Sequence, residues 1–385
     1  KPLANSKLPI FLGELFSKCL HPDGSVLPDA CAKCVSSIRQ ILYLFYKYEL
    51  PFDTKCEQRV ISDFKKAEED LCAHSSILRA IACSASGGYS ARRSRFAAVT
   101  PVRIVREARI LLSNVFSNFD PYDIVPRHGP GVVSTKETPW GKYLWTNVSD
   151  RITQHYPFDA YFCASQGHVC DSYPTFEKVG NKDIPAQVIL VPKDSRGPRL
   201  ISCEPVDKQW IQQGLARALV SHIENIQLTK FNVFFSDQQP NQIAALFGSS
   251  NGRYATLDLK EASDRVNLDL VRLLFPEHIS MCFEACRSLE TRLPDGEVLQ
   301  LQKFAPMGSA LCFPVLALTI WSILTAGAPD ADTRESIHVY GDDVIVPTAH
   351  AVNAMEQLEA FGLLVNRDKS CISGFFRESC GCDAF

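Results

Sequence analysis

The chain has 385 residues, 46% of them hydrophobic and 22% charged, with 20 glycines and 23 prolines. That is enough apolar material for a large buried core, and it excludes disordered and collagen-like chains; no internal repeat marks a solenoid or propeller. The net charge of −3 hides an uneven division: residues 1–253 carry 30 Lys+Arg against 24 Asp+Glu, and residues 254–385 carry 10 against 19. The first part suits anionic partners and the second suits cations. Fifteen cysteines without a secretory leader imply reduced thiols. Cys31-Ala-Lys-Cys34 is half of a zinc pattern with no second pair at a suitable distance, and is assigned to structural thiols. Neither Lys1 nor Phe385 reads as a natural terminus, so a fragment of a longer protein is expected.

In chain order, residues 1–120 read as mainly helical, with apolar residues at three- and four-residue spacing in Cys34 to Lys47 and Thr54 to Ala82. Arg92, Arg93, Arg95, Arg103, Arg106 and Arg109 form a basic stripe that suits phosphate contacts. From Asp120 to Pro205 the chain is punctuated by proline and glycine, with β-like runs at Ala186 to Val191 and Arg199 to Cys203, and a helix follows over Asp207 to Leu228. Beyond Arg253 strands and helices alternate. Strands are expected at Tyr254 to Leu259, Ile337 to Tyr340 and Val344 to Pro347, and an extended segment at Leu363 to Asn366. A hairpin is expected at Asp295-Gly296, and helices after Asp264, over Ser309 to Ala326 and over Ala351 to Phe361. The result is an α+β sheet with helices on one face. The uncharged stretch Phe304 to Pro329 is long enough to cross a bilayer, but Gly308, Pro314 and Gly327 interrupt it, so a helix buried under the sheet is expected instead.

Tyr340-Gly341-Asp342-Asp343 lies between two β-rich runs and reads as a hairpin with two carboxylates at its tip. Adjacent anions repel unless they are solvated or share a hard divalent cation. A second carboxylate site stands at Asp258, where a strand ends before the chain bends near Asp264. If that strand pairs beside the 340–346 hairpin, Asp258 meets Asp342 and Asp343, and three such carboxylates suit two Mg²⁺ ions.

These segments, with Arg127-His-Gly-Pro-Gly131, Val191-Pro-Lys-Asp-Ser-Arg-Gly-Pro-Arg199, Phe304-Ala-Pro-Met-Gly308, Asn366-Arg-Asp-Lys369 and Phe376-Arg-Glu-Ser-Cys-Gly381, resemble in order and spacing the motifs of viral RNA-dependent RNA polymerases. In detail they resemble the replicase beta subunit of Qβ-like single-stranded RNA bacteriophages. The resemblance implies a right-hand polymerase: an α-rich region at 1–120 contributing to the fingers, fingers with a nucleotide-binding fingertip loop at 121–250, an antiparallel-sheet palm at 251–385, and a thumb mostly absent.

The same resemblance implies template-directed RNA synthesis, with Asp258, Asp342, Asp343 and the Leu259 carbonyl as ligands of Mg²⁺, for which Mn²⁺ substitutes. Lys193, Arg196 and Arg199 correspond to residues that hold the incoming triphosphate, Lys369 to the general acid for the leaving pyrophosphate, and Asp264 to the sensor of the ribose 2′-hydroxyl. Gly308 and Ser309 fall in a loop beside the nucleotide; many relatives carry an asparagine partner for the sensor where this chain has none, and Ser309 is the expected substitute. The implied partners are an RNA template and product, ribonucleoside triphosphates and host translation factors, in the cytoplasm of a bacterial host and without a membrane. A reverse-transcriptase-like enzyme, or a degenerate palm that only binds RNA, are the alternatives. The small Ala262 and Ser263 before Asp264 disfavour the first, and the intact carboxylate set disfavours the second.

Overall fold

Apolar residues in period two and period three to four fix most of the elements. The computed structural model describes residues 2–44, 53–86, 99–170, 178–194 and 197–385. They fall into two units, one of residues 1–62 with 190–200 and the other of residues 63–189 with 201–385.

The strands in chain order are β1 (Ala186–Asp194), β2 (Gly197–Cys203), β3 (Tyr254–Leu257), β4 (Leu259–Lys260), β5 (Glu290–Arg292), β6 (Val298–Gln300), β7 (His338–Tyr340), β8 (Asp343–Pro347), β9 (Leu364–Val365), β10 (Arg377–Ser379) and β11 (Cys382–Ala384). The first unit holds the helices Gly13–Phe16 and Ala32–Leu44. The Cys34 amide and thiol, at the start of the latter helix, lower the pKa of the Cys31 thiol. None of the fifteen cysteines is paired in a disulfide.

In the second unit one sheet orders its strands β3-β8-β7, antiparallel throughout, with Leu257 opposite Val344 and Tyr340 opposite Asp343. Alternation along β8 sorts its side chains between two faces. Val344 and Val346 join the main core with Trp321, Leu324 and Leu358, whereas Ile345 packs on Ala244 and Ala245 of the Gln239–Asn251 helix. Helices therefore cover both faces, and the expectation of a one-sided sheet is corrected. The second cover went unread because that helix is weakly amphipathic and carries polar residues such as Asn241 at its buried side.

The helix Cys312–Gly327 starts three residues later than expected and is buried from Pro314 to Gly327. It is apolar all round because protein surrounds it; among the described residues no helix is long and apolar enough to cross a membrane. Each of its fully buried Leu or Ile side chains contributes about 1.5–3 kcal/mol. Helix Pro101–Val115, opened by a Thr100 cap and Pro101, packs on the same core through Ile104, Val105, Ala108 and Leu112.

The described part of the arginine stripe lies on this helix and is not a free basic face. Arg106 donates to the Ser84 and Ala85 carbonyls at 3.0 and 3.1 Å, and Arg109 donates to the Leu273 carbonyl at 2.6 Å. These guanidiniums satisfy exposed helix-end carbonyls. Arg92, Arg93 and Arg95 lie outside the described residues.

Candidate active site

The expected strand Tyr254 to Leu259 is interrupted at Asp258, between β3 and β4. The break has a cause: Asp258 is gripped by the turn that follows β9. Its carbonyl accepts from the Asn366 amide at 2.8 Å, its amide donates to Ser370 Oγ at 3.1 Å, and its carboxylate accepts from Asn366 Nδ2 at 2.7 Å. β4 then pairs with β9 rather than continuing beside β8, Leu259 facing Val365. With Asp258 bonded to Asn366, ladder alternation turns the Leu259 carbonyl away from β9. Lys369 is exposed in the same Asn366–Ser370 turn.

On the neighbouring strand pair, Gly341 and Asp342 form the two-residue turn between β7 and β8. Gly341 has φ +63°, and a Cβ there would stand 1.9 Å from the Phe313 ring, so only glycine allows this turn against the helix beneath it. One step past the Leu257–Val344 pair, Asp258 comes level with Asp343 on the adjacent strand. Asp258, Asp342 and Asp343 thus share one end of the sheet, as the sequence reading requires.

Asp343 is tied down from the far side. Its carbonyl accepts from Asn241 Nδ2 at 3.2 Å, and the Cys380 amide and thiol of the β10–β11 turn lie beside its carboxylate and favour the charged form. The hairpin is itself anchored by the fully buried Arg377, which donates to the Tyr254 carbonyl at 2.5 Å and to the Phe376 carbonyl at 2.7 Å. Burial pushes the Asp343 carboxyl above the ordinary carboxylate range, and the charges of Asp342 and Asp258 push it further.

The donor set suits a hard divalent cation: carboxylate oxygens and a backbone carbonyl, with negative charges crowded at a partly buried edge. Among the described residues, no three His, Cys, Asp or Glu side chains are drawn close enough to enclose one ion as they stand.

Asp264 lies in the turn Ala262–Arg265 after β4. Its hydrogen-bond partner is Lys303, whose Nζ donates to Asp264 Oδ1 at 2.9 Å. Ser309 is not that partner, which corrects the expectation; Ser309 Oγ donates instead to Gln212 Oε1 at 3.0 Å, as does the Ala310 amide at 3.2 Å. Gln212 is fully buried and also donates to the Cys286 carbonyl. Gly308 has φ +128°, and a Cβ there would lie 2.0 Å from the Ser202 carbonyl oxygen. The Ser202 amide donates to the Met307 carbonyl at 2.8 Å, so Met307–Ala310 is a braced loop.

The Cys312 thiol, pushed up to about 12 by burial and by the Asp264 charge, also feels Lys303 and Asp342. Asp264 and Asp342 therefore both lie near Cys312. Lys193 on β1 and Arg199 on β2 are exposed in the first unit, and Arg196 lies outside the described residues.

Sequence reasoning missed Lys303, Gln212 and Asn241. Lys303 left one signal, a lone charge at the edge of the long apolar run beginning at Phe304. Within Arg127-His-Gly-Pro-Gly131, Lys142 Nζ donates to the Gly129 and Gly131 carbonyls at 3.0 and 2.6 Å, and His128 packs among Tyr143, Trp145 and Trp210, while Arg127 is exposed.

An antiparallel sheet carrying paired acidic residues at one end, covered by helices on both faces, places the chain among α+β proteins with a carboxylate-lined site. Residues 99–385 match the family described as RNA replicase, beta-chain, and the chain belongs to that family. It is similar to the RNA-directed RNA polymerase subunit beta of Enterobacteria phage SP, 30% identical over 285 residues, covering 72% of this chain and 48% of the relative. The corresponding subunit of Qbeta virus strain MX1 is 32% identical over 196 residues, 51% of this chain and 33% of the relative. That of Escherichia virus Qbeta is 34% identical over 197 residues, 51% and 32%. The matched stretch thus spans half or less of the length of these relatives.

Proposed function

We propose that this protein carries out template-directed RNA synthesis as the palm-bearing part of a right-hand phage RNA polymerase, joining ribonucleoside triphosphates by two-metal-ion nucleotidyl transfer. One observation carries the reading: Asp258 and Asp342–Asp343, distant in sequence, stand level at one end of the β3–β8–β7 sheet. The family and its polymerase relatives supply the reaction class.

Asp258, Asp342 and Asp343, with the Leu259 carbonyl, are the groups that would hold magnesium, or manganese in its place. When bound, such ions supply activation of the attacking 3′-hydroxyl and charge neutralisation on the leaving pyrophosphate. The chain's own work is positional. Asn366 and Ser370 fix the Asp258 backbone and carboxylate, the Gly341 turn presents Asp342, and Asn241 holds the Asp343 carbonyl. Lys369, exposed in the Asn366–Ser370 turn, is the proton donor to pyrophosphate, and Lys193, Arg196 and Arg199 bind the triphosphate as fixed positive charge. Asp264 reads the ribose 2′-hydroxyl, and the braced Met307–Ala310 loop, with Gly308 and Ser309, borders the nucleotide. RNA template and product and ribonucleoside triphosphates are the partners. Host translation factors and the cytoplasm of a bacterial host follow from the resemblance alone.

Incorporation of labelled ribonucleotide on a short RNA template, titrated with Mg²⁺ or Mn²⁺, tests the reading. The unaltered protein should incorporate only with the metal, and Asp342→Asn should lower incorporation by at least ~10³-fold with its circular dichroism unchanged, since Asp342 lies in a turn outside the core. Incorporation that ignores the metal, or an Asp342→Asn variant at the unaltered rate, would overturn the two-metal reading, and no incorporation under any of these conditions would leave a non-catalytic RNA-binding fold.

A further inference from the structure

Lys303 is a lysine with no exposed surface, a costly placement unless its charge is fully engaged. Three groups engage it. Its Nζ donates to Asp264 Oδ1 at 2.9 Å, lies 3.1 Å from Glu68 Oε1 as an ion pair off the hydrogen-bonding direction, and sits 3.5 Å from the centre of the Phe64 ring. Glu68 is equally buried, and its other oxygen, Oε2, accepts from the backbone amides of Gln302 and Lys303 at 2.5 and 3.2 Å. The lysine is thus fixed at its backbone and at its tip by one residue of the Thr54–Ser86 helix.

The turn that carries Asp264 is held independently. Arg265 bonds Asp70 at 2.7 Å and Glu261 at 3.0 Å. Of the two carboxylates around the ammonium, only Asp264 reaches solvent, with 22% of its side chain exposed against 5% for Glu68. Lys303 occupies Oδ1, and among the described residues Oδ2 has no hydrogen-bond partner. The open oxygen belongs to the side chain that shares the Cys312 surroundings with Asp342.

We infer that Lys303, clamped by Glu68 and Phe64, is the positioning residue that sets Asp264 for ribose selection, in the role expected of Ser309. The inference rests on the proposed polymerase reading and deepens it. With one oxygen locked, the carboxylate offers the other as a fixed acceptor for a single hydroxyl. A deoxynucleotide leaves that acceptor unpaired in a half-buried place, which is the arrangement that rejects an analogue lacking a hydroxyl. A lysine can hold an aspartate this way without reaching the nucleotide itself, since its Nζ is closed off on three sides.

The test compares ATP with dATP, both as binding of the Mg²⁺-nucleotide to purified protein and as templated incorporation. Lys303→Met should reduce the ribo-to-deoxyribo ratio by about tenfold or more, chiefly through poorer ribonucleotide use. Lys303→Arg should recover part of it, and Lys303→Met combined with Asp264→Asn should fall no further than the worse single variant. Glu68→Gln, which keeps the Lys303–Asp264 bond but weakens its anchor, should move the ratio the same way by a smaller factor; it decides the matter if Lys303→Met does not fold. Equal losses for both sugars, or an unmoved ratio in folded variants, would make Lys303 a buried structural charge and overturn the inference. Absence of templated incorporation by the unaltered protein would instead count against the polymerase reading, and an absent ATP preference in binding would overturn the sugar role by itself.

Discussion

His128 illustrates what a buried ionisable residue does in this fold. Tyr143, Trp145 and Trp210 surround its ring, and burial holds its pKa down at about 4, the nearby Lys142 charge acting in the same direction. In the unfolded chain the ring protonates near the ordinary value of about 6.5. The stability it contributes is therefore complete above that value and is lost as pH falls toward about 4, because the unfolded state takes up the proton first. Burial depresses His74, His338 and His350 in the same sense. Urea midpoints measured between pH 7 and 4 should fall, and His128→Phe should flatten part of that slope; an unchanged slope would place the ring in water. Asp258 shows the complementary case, a part-buried carboxylate whose backbone and side chain are gripped by Asn366 and Ser370.

At the level of elements, the β7–β8 hairpin depends on one missing Cβ. Phe313, at the start of the Cys312–Gly327 helix, packs against Tyr340 with ring centres 5.5 Å apart and fills the space under Gly341. Gly341→Ala should cost about 1–3 kcal/mol through overpacking and the positive φ, and Phe313→Ala in the same chain should return part of it. Chemical denaturation of the single and double variants measures this, and strictly additive losses would contradict the contact. This hairpin and β3 were legible because period-two runs flank a Gly-Asp turn and a strand ends on Asp258. Lys303 was not legible, since its meaning depends on Phe64 and Glu68 more than two hundred residues upstream. Ser309 looked like a partner for Asp264 because it is near in the motif, but the fully buried Gln212 claims its hydroxyl.

For the molecule as a whole, the acidic part of the chain is also the part that carries the site. Residues 254–385 hold 19 of the 43 acidic residues against 10 of the 40 basic ones, and Asp258, Asp342 and Asp343 stand together within it. Composition signalled that imbalance, and motif order signalled the family that the matched residues 99–385 show. Spacing did not reveal the bracing around the site, which comes from the Gln239–Asn251 helix, the β10–β11 hairpin and the Asn366–Ser370 turn. The central claim is that carboxylates at the ends of two neighbouring strands act as one catalytic unit. Templated ribonucleotide incorporation by Asp258→Asn, Asp342→Asn and the double variant tests it most directly. Each single variant should lose nearly all incorporation and the double should be no worse than the poorer single, as for residues that act together. A single variant that keeps the unaltered rate, or losses that multiply in the double, would contradict it.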